Sequence, residues 1–229
     1  MVKRSHIRAL LVVLVALFFV IPLISAERGA GGGAIVVQIT LAVALAGGIY
    51  AVGANKLMRR LILVSLFPAV VLGTLVELNW IAEWPWAVGV WAAYVVGFSL
   101  VGAAMTYHLI RERRVTLDTI ASALATYLLF GLVWALIYVA FEHFDPDAFS
   151  GLARELETGL GAPGEKSQLK AMLYYSFTTL TTLGYGDIVP VNPLARSLSV
   201  LEAAFGQIYL AILVARLVGI HTARAMSEE

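Results

Sequence analysis

The stretch TTLTTLGYGDIVP runs from Thr178 to Pro190 and holds four threonines and two glycines where a short apolar and aromatic run, Leu169 to Leu180, ends and before a long apolar run that follows. Crossing a bilayer takes about 20 apolar residues, so the run of about a dozen before it is too short to cross. It is long enough for a re-entrant helix, and irregular backbone at that depth is tolerated only where protein or a water-filled path surrounds it. Gly184 and Gly186 can enter backbone regions that a Cβ closes to other residues. The sequence therefore predicts a short helix that stops inside the membrane, with a backbone of unusual shape at its end.

The surroundings agree with a membrane setting. Of 229 residues, 60% are hydrophobic and 14% charged, and the mean hydropathy is +0.87, outside the range of a soluble domain. The apolar runs are long and do not alternate, which argues against an outer-membrane barrel. A net charge of +1 gives no reason to expect a nucleic-acid partner, and the absence of cysteine removes disulfide and thiolate chemistry.

Six apolar runs are candidate spans: Ala9 to Ser25, Ala34 to Val52, Leu61 to Val76, Trp84 to Ile110, Leu117 to Phe141 and Leu194 to Ile220. With the N-terminus inside, Lys3, Arg4, Arg8, Lys56, Arg59, Arg60, Arg111, Arg113, Arg114 and Arg224 gather on the inner side, as the positive-inside rule requires. Glu27, Glu77, Glu83 and the acids between Glu142 and Glu165 fall outside, and Trp80, Trp84 and Trp86 mark an interface. Both termini are expected in the cytoplasm of a cell-membrane (inner or plasma membrane) protein. The first run, with its basic start and the small-residue end Ile24-Ser25-Ala26, reads as a retained helix, with a cleaved signal peptide as the alternative. The segment from Glu142 to Gln168 is too polar to span; Asp145-Pro146-Asp147 predicts a turn, and Phe149 to Leu160 a short amphipathic helix at the outer surface. Glu142, Asp145 and Asp147 read either as a solvated charge run or as a means of enriching cations, and His143 sits among them.

A dehydrated monovalent cation in a bilayer needs oxygen ligands in place of water, and backbone carbonyls supply them without fixed charge. Gly184 and Gly186 fit the backbone demand, Thr182 adds a hydroxyl oxygen below its own carbonyl, Tyr185 braces the strand from behind, and Asp187 anchors the outer end. Thr182-Leu183-Gly184-Tyr185-Gly186 is readable as a stack of oxygen rings. These residues resemble the selectivity-filter signature of potassium channels, with Leu183 where that signature has valine. Tyr174 and Tyr175 match aromatic positions of the pore helix in that family. Arg196 and Gly206 fall nine and nineteen residues after Asp187, like the outer-mouth arginine and hinge glycine of simple bacterial members.

The resemblance covers Leu117 to Ile220. Together with the six apolar runs it implies an all-α membrane protein of six transmembrane helices plus a re-entrant pore helix and filter loop. K+ would be held at Thr182, Leu183, Gly184 and Tyr185, with no organic cofactor, and Asp187, Tyr174, Tyr175, Thr178 and Glu202 would support the filter or line the outer mouth. One pore loop cannot enclose an ion, so a homotetramer in a lipid bilayer follows once the filter is accepted. The domains expected are 1–114, four helices; 115–221, the pore; and 222–229, a short cytoplasmic tail.

Other residues carry open alternatives. Asn192 before Pro193 is a good N-cap. Gly206, Gln207, Leu210 and Val214 share a helical face, making the last three cavity candidates and Gly206 either a bend or a site of close packing. Glu202, the one acid in the sixth run, either braces the pore helix or filter by hydrogen bonding or snorkels to the outer interface. Trp84 to Ile110 has no Arg or Lys, only His108, which predicts weak or absent voltage dependence. The nine residues after Ile220, HTARAMSEE, are too few for a nucleotide- or calcium-binding domain. A secondary transporter should show internal repeats, and a membrane enzyme convergent polar groups within the spans; neither pattern is present. The first four runs are also compatible with a separate receptor or scaffold that regulates the pore, and the sequence does not identify a regulatory partner.

Overall fold

The computed structural model describes residues 11–12, 14–15, 39–48, 56–77, 83–112, 116–152 and 165–225. The basic N-terminal start, the Ile24-Ser25-Ala26 end of the first run, the glycine-rich break at 27–33, Trp80, the side chains of Trp84 and Trp86, and most of the helix expected over Phe149 to Leu160 lie outside the described residues.

The chain is mostly helical. Helix α1 covers Ile39–Gly48, α2 Lys56–Glu77, α3 Glu83–Arg111, α4 Leu117–Phe144, α5 Glu165–Leu180 and α6 Pro193–Ala225. Among the described residues, three segments are long and apolar enough to cross a membrane by length and composition: Val88–Arg111, Leu117–Phe144 and Pro193–Arg216. The apolar parts of α1 and α2 are shorter, Ile39–Gly48 and Arg60–Leu75.

Helices adjacent in sequence pack on one another: α2 on α3, α3 on α4, α4 on α5, and α5 on α6. One apolar core runs through them, from Leu45, Tyr94, Phe98 and Val101 to Leu129, Leu136, Met172 and Tyr175. Large apolar side chains such as Val64, Phe67, Val96 and Ile110 remain exposed, the surface that a lipid rather than aqueous environment accommodates.

Helix ends follow from local chemistry. Thr116 caps α4 reciprocally with Thr119: each side chain meets the other's backbone N–H. The last carbonyls of α3 have no partner within their own helix. Arg216 of α6 supplies one, its guanidinium donating to Leu109 O and Glu112 O. The C-terminal half of α6 is thereby tied to the end of α3.

The expected all-α architecture needs two corrections. Phe149–Ser150 forms a strand, β1, not the start of a helix; it pairs antiparallel with β2, Val189–Pro190, in the register Phe149 to Pro190 and Ser150 to Val189. The stretch after the quoted glycines offers a free edge, and pairing it with β1 satisfies backbone groups that a helix at Phe149 would leave open. The second concerns α4, which continues past Phe141 to Phe144 and takes Glu142 into the interior at 4% exposure, with Oε2 lacking a hydrogen-bond partner. Glu142 is therefore not part of a solvated charge run. Asp145 follows α4 in a turn closed by Ala148 N–H to Asp145 O, and its carboxylate accepts from Asn192 Nδ2 at 2.6 Å.

Candidate functional site

Helix α5 ends where its carbonyls can be satisfied only by a chain reversal. Thr182 N–H donates to Thr179 O at 2.9 Å and Leu183 N–H to Thr178 O at 2.8 Å, the paired bonds of a Schellman motif. Gly184 N–H also donates to Thr178 O, at 3.0 Å. Such a motif puts its turning residue in the left-handed region, usually a glycine. Here that residue is Thr182, at φ +59°, and a side chain there costs about 1–2 kcal/mol. Its hydroxyl donates to Thr181 O at 2.7 Å and accepts from Gln207 Nε2 at 3.4 Å.

Beyond Thr182 the sign of φ alternates. Thr182, Gly184 and Gly186 have φ of +59°, +55° and +76°, while Leu183 and Tyr185 between them do not enter that region. Alternation of this kind turns successive carbonyls toward one side, where a uniform strand would point them to opposite sides. Residues 181–187 are all exposed on the single chain. The carbonyls of Thr182 to Gly186 thus form a row on an exposed stretch of the chain.

The row is clasped at its Asp187 end. Tyr174 Oη donates to Asp187 Oδ2 at 2.5 Å, the Tyr174 ring stacks on Tyr185 with centroids 6.4 Å apart, and Ile188 N–H donates to Asp187 Oδ1. Burial alone would lift the Asp187 carboxyl; the hydrogen bonds from Tyr174, Ile188 N–H and its own N–H outweigh it and hold the group below the usual carboxylate range. A carboxyl lowered in the folded state adds stability above its unfolded pKa, about 3.9, and that stability fades as pH falls through the lower folded value. The clasp is therefore expected to hold from neutral pH down to about pH 4. Tyr174→Phe should raise the midpoint of acid unfolding, followed as thermal stability against pH in detergent; an unmoved midpoint would contradict this.

Behind the row, aromatic and polar contacts fix α5. Tyr138, Phe149 and Tyr175 form a triad with centroids 5.2 to 5.5 Å apart, so β1 is anchored to the same helix that carries Thr178. Tyr175 Oη lies 2.5 Å from Ser199 Oγ of α6. Glu202, 0% exposed, accepts from Tyr138 Oη at 2.7 Å and lies 2.5 Å from Ser176 Oγ, which is also 2.8 Å from Gly131 O. A snorkelling position for Glu202 is excluded by this burial. Gly151, at φ +83°, has its Cα against Asp187 O where a Cβ would collide with that carbonyl. Asn192 caps α6, accepting from Leu194 N–H at 2.8 Å, and Arg196 Nε donates to Pro190 O.

On α6, Gly206 is buried with its Cα against Leu180 O, where a Cβ would overlap that backbone oxygen and crowd the Leu180 side chain. α6 runs through it as one helix, and the close approach to α5 accounts for this glycine. Gly206→Ala must push α5 and α6 apart, an overpacking cost of about 1–3 kcal/mol; a clear fall in melting temperature in detergent is expected, and an unchanged melt would contradict the contact. Gln207, Leu210 and Val214 are exposed on this single chain.

Ser176, Tyr138, Ser199 and Gly151 belong to this arrangement and carry no motif of their own in the sequence. Among the described residues no cluster of three or more His, Cys, Asp or Glu could hold a metal ion.

A family model described as "Ion channel" matches residues 122–222. The match takes in nearly all of α4, the β1–β2 pair, α5, the exposed row of carbonyls and most of α6. This part of the chain is similar to ion-channel domains, and the match together with the long apolar helices supports a membrane protein that conducts ions passively. No curated protein matches the chain.

Proposed function

We propose that the protein is a potassium-selective channel, a homotetramer in the cell (inner or plasma) membrane in which four copies of residues 182–186 surround one axis. The alternating backbone at Thr182, Gly184 and Gly186 carries this reading. It aims consecutive oxygens to one side, and carbonyl oxygens without fixed charge are the ligands that replace the water of a monovalent cation. In this reading K+ is held by the carbonyls of Thr182, Leu183, Gly184 and Tyr185 and by the Thr182 hydroxyl. Gly186 completes the turn to Asp187, and Gln207, Leu210 and Val214 face the cavity below. One exposed row encloses nothing, so closure by rotation into a ring is required. The apolar side chains that α6 leaves exposed, Val200, Leu201, Ile208 and Ile212 among them, supply surface for neighbouring copies and lipid.

The wider arrangement follows the same reading: six spans with both termini cytoplasmic, a four-helix unit over 1–114, the pore over 115–221 and a tail at 222–229. No reaction step and no organic cofactor enters it. The test is a native mass measurement together with K+ and Na+ efflux from proteoliposomes. A tetramer that releases K+ far faster than Na+ is expected, and a monomer or dimer that passes neither ion overturns the proposal.

Helix α3 sets the expected voltage response. Each charge moved through the field contributes about 2.3 kcal/mol per 100 mV, and a steep response needs three or four per subunit. Arg111, at the end of α3, lies over the Tyr107 ring at 4.5 Å, and no Arg or Lys precedes it from Trp84 onward. The conductance–voltage relation in symmetric K+ is expected to be shallow; a steep sigmoid would contradict this.

A further inference from the structure

Resting on the filter reading, we infer that Gln207 is a positioning residue for the innermost oxygen of the ion path. Its side-chain amide holds the Thr182 hydroxyl and, through it, the left-handed backbone from which the row of carbonyls starts.

Three observations converge on this pair. Thr182 is the one non-glycine residue with positive φ among the described residues, and a β-branched residue persists in that region only when its surroundings over-determine it. The proton of its hydroxyl is committed to Thr181 O, which leaves Oγ1 as an acceptor. Gln207 Nε2 donates to that oxygen from 25 residues away, on another helix. The neighbouring position explains the reach: Gly206 lets α6 approach Leu180 O, and the next side chain spans the remaining gap to Thr182.

The consequence for ion binding is specific. With its proton turned to Thr181 and one lone pair taken by Gln207, Oγ1 keeps its remaining electron density for a cation, in a fixed direction. Without the amide the hydroxyl can rotate and present its proton to the path, and the backbone of Thr182 is freer to leave the left-handed region. An apolar side chain of the same size would fill the space and do neither. Gln207 therefore acts on selectivity through Thr182 and not by lining the cavity alone.

The experiment compares initial K+ and Na+ efflux from proteoliposomes for the wild type, Gln207→Leu, Gln207→Glu, Thr182→Val and the double variant Gln207→Leu with Thr182→Val. Native mass measurement confirms that each is assembled. Gln207→Leu and Gln207→Glu remove the donor at nearly constant volume and are each expected to lower the K+ to Na+ ratio about fivefold, the worth of one hydrogen bond of ordinary strength. In the Thr182→Val background no hydroxyl remains to be held, and Gln207→Leu is expected to have no further effect. A wild-type ratio in both Gln207 variants, or the same loss in both Thr182 backgrounds, overturns the inference while the channel reading stands. A wild type that passes both ions equally overturns the filter reading and the inference together.

Discussion

Gly186→Ala is expected to abolish potassium-selective conduction while leaving each subunit folded. At φ +76° the backbone of Gly186 lies where a side chain costs about 1–2 kcal/mol. A Cβ built there meets nothing within 4 Å in its own chain, so the effect isolates backbone conformation from packing. Four copies meeting at one axis would face about 4–8 kcal/mol in all. Since every 1.4 kcal/mol is a factor of ten, even the lower figure reduces the population with all four rows aligned by roughly a thousandfold. Potassium efflux from proteoliposomes should fall to background or lose its preference over sodium, with helical circular dichroism unchanged. Preserved selective flux in Gly186→Ala would remove the argument from alternating dihedrals.

Glu202→Ala is expected to be the most damaging change outside the carbonyl row. Glu202 joins three helices: its own α6, α4 through Tyr138 and α5 through Ser176. Truncation takes this acceptor from the buried Tyr138 hydroxyl, at about 1–3 kcal/mol, leaves Ser176 with Gly131 O alone, and opens a cavity besides. Because Ser176 lies two residues before Thr178, whose carbonyl holds Leu183 and Gly184, loosening there reaches the filter directly. The expected result is a large drop in melting temperature in detergent together with loss of selective flux. Glu202→Gln keeps the volume and can still offer each hydroxyl a polar partner, so it should retain assembly and lose only part of the stability. Equal behaviour of Ala and Gln at this position would show that the hydrogen bonds are not what matters.

How much of this was legible in the sequence depends on the range of the interactions. The short helix before Thr181 and the spacing of Gly184 and Gly186 were readable because backbone demands there are local. The bounds of α3 and the N-cap at Asn192 were readable for the same reason. Thr182 was legible as an oxygen donor but not as a residue of positive φ, since a β-branched side chain argues against that conformation until the Schellman bonds at Thr178 and Thr179 are seen. Glu202 stood out as a lone acid in an apolar run, but its partners Tyr138 and Ser176 lie 64 and 26 residues away. Only the crossing of three helices brings them together. Glu142 misled because a run of acids near Asp145 and Asp147 usually marks water; the helix continued by one more turn and carried it inward. The β1–β2 pair was hidden because two-residue strands have no periodicity to detect.

The central claim is that residues 182–186 select potassium by oxygen rings at a four-fold axis. The most direct measurement is the reversal potential of purified protein in a planar bilayer with K+ on one side and Na+ on the other at equal concentration. A reversal displaced far from zero, in the direction that holds K+ back on its own side, is predicted. A reversal at zero would show that both ions pass alike and would contradict the account.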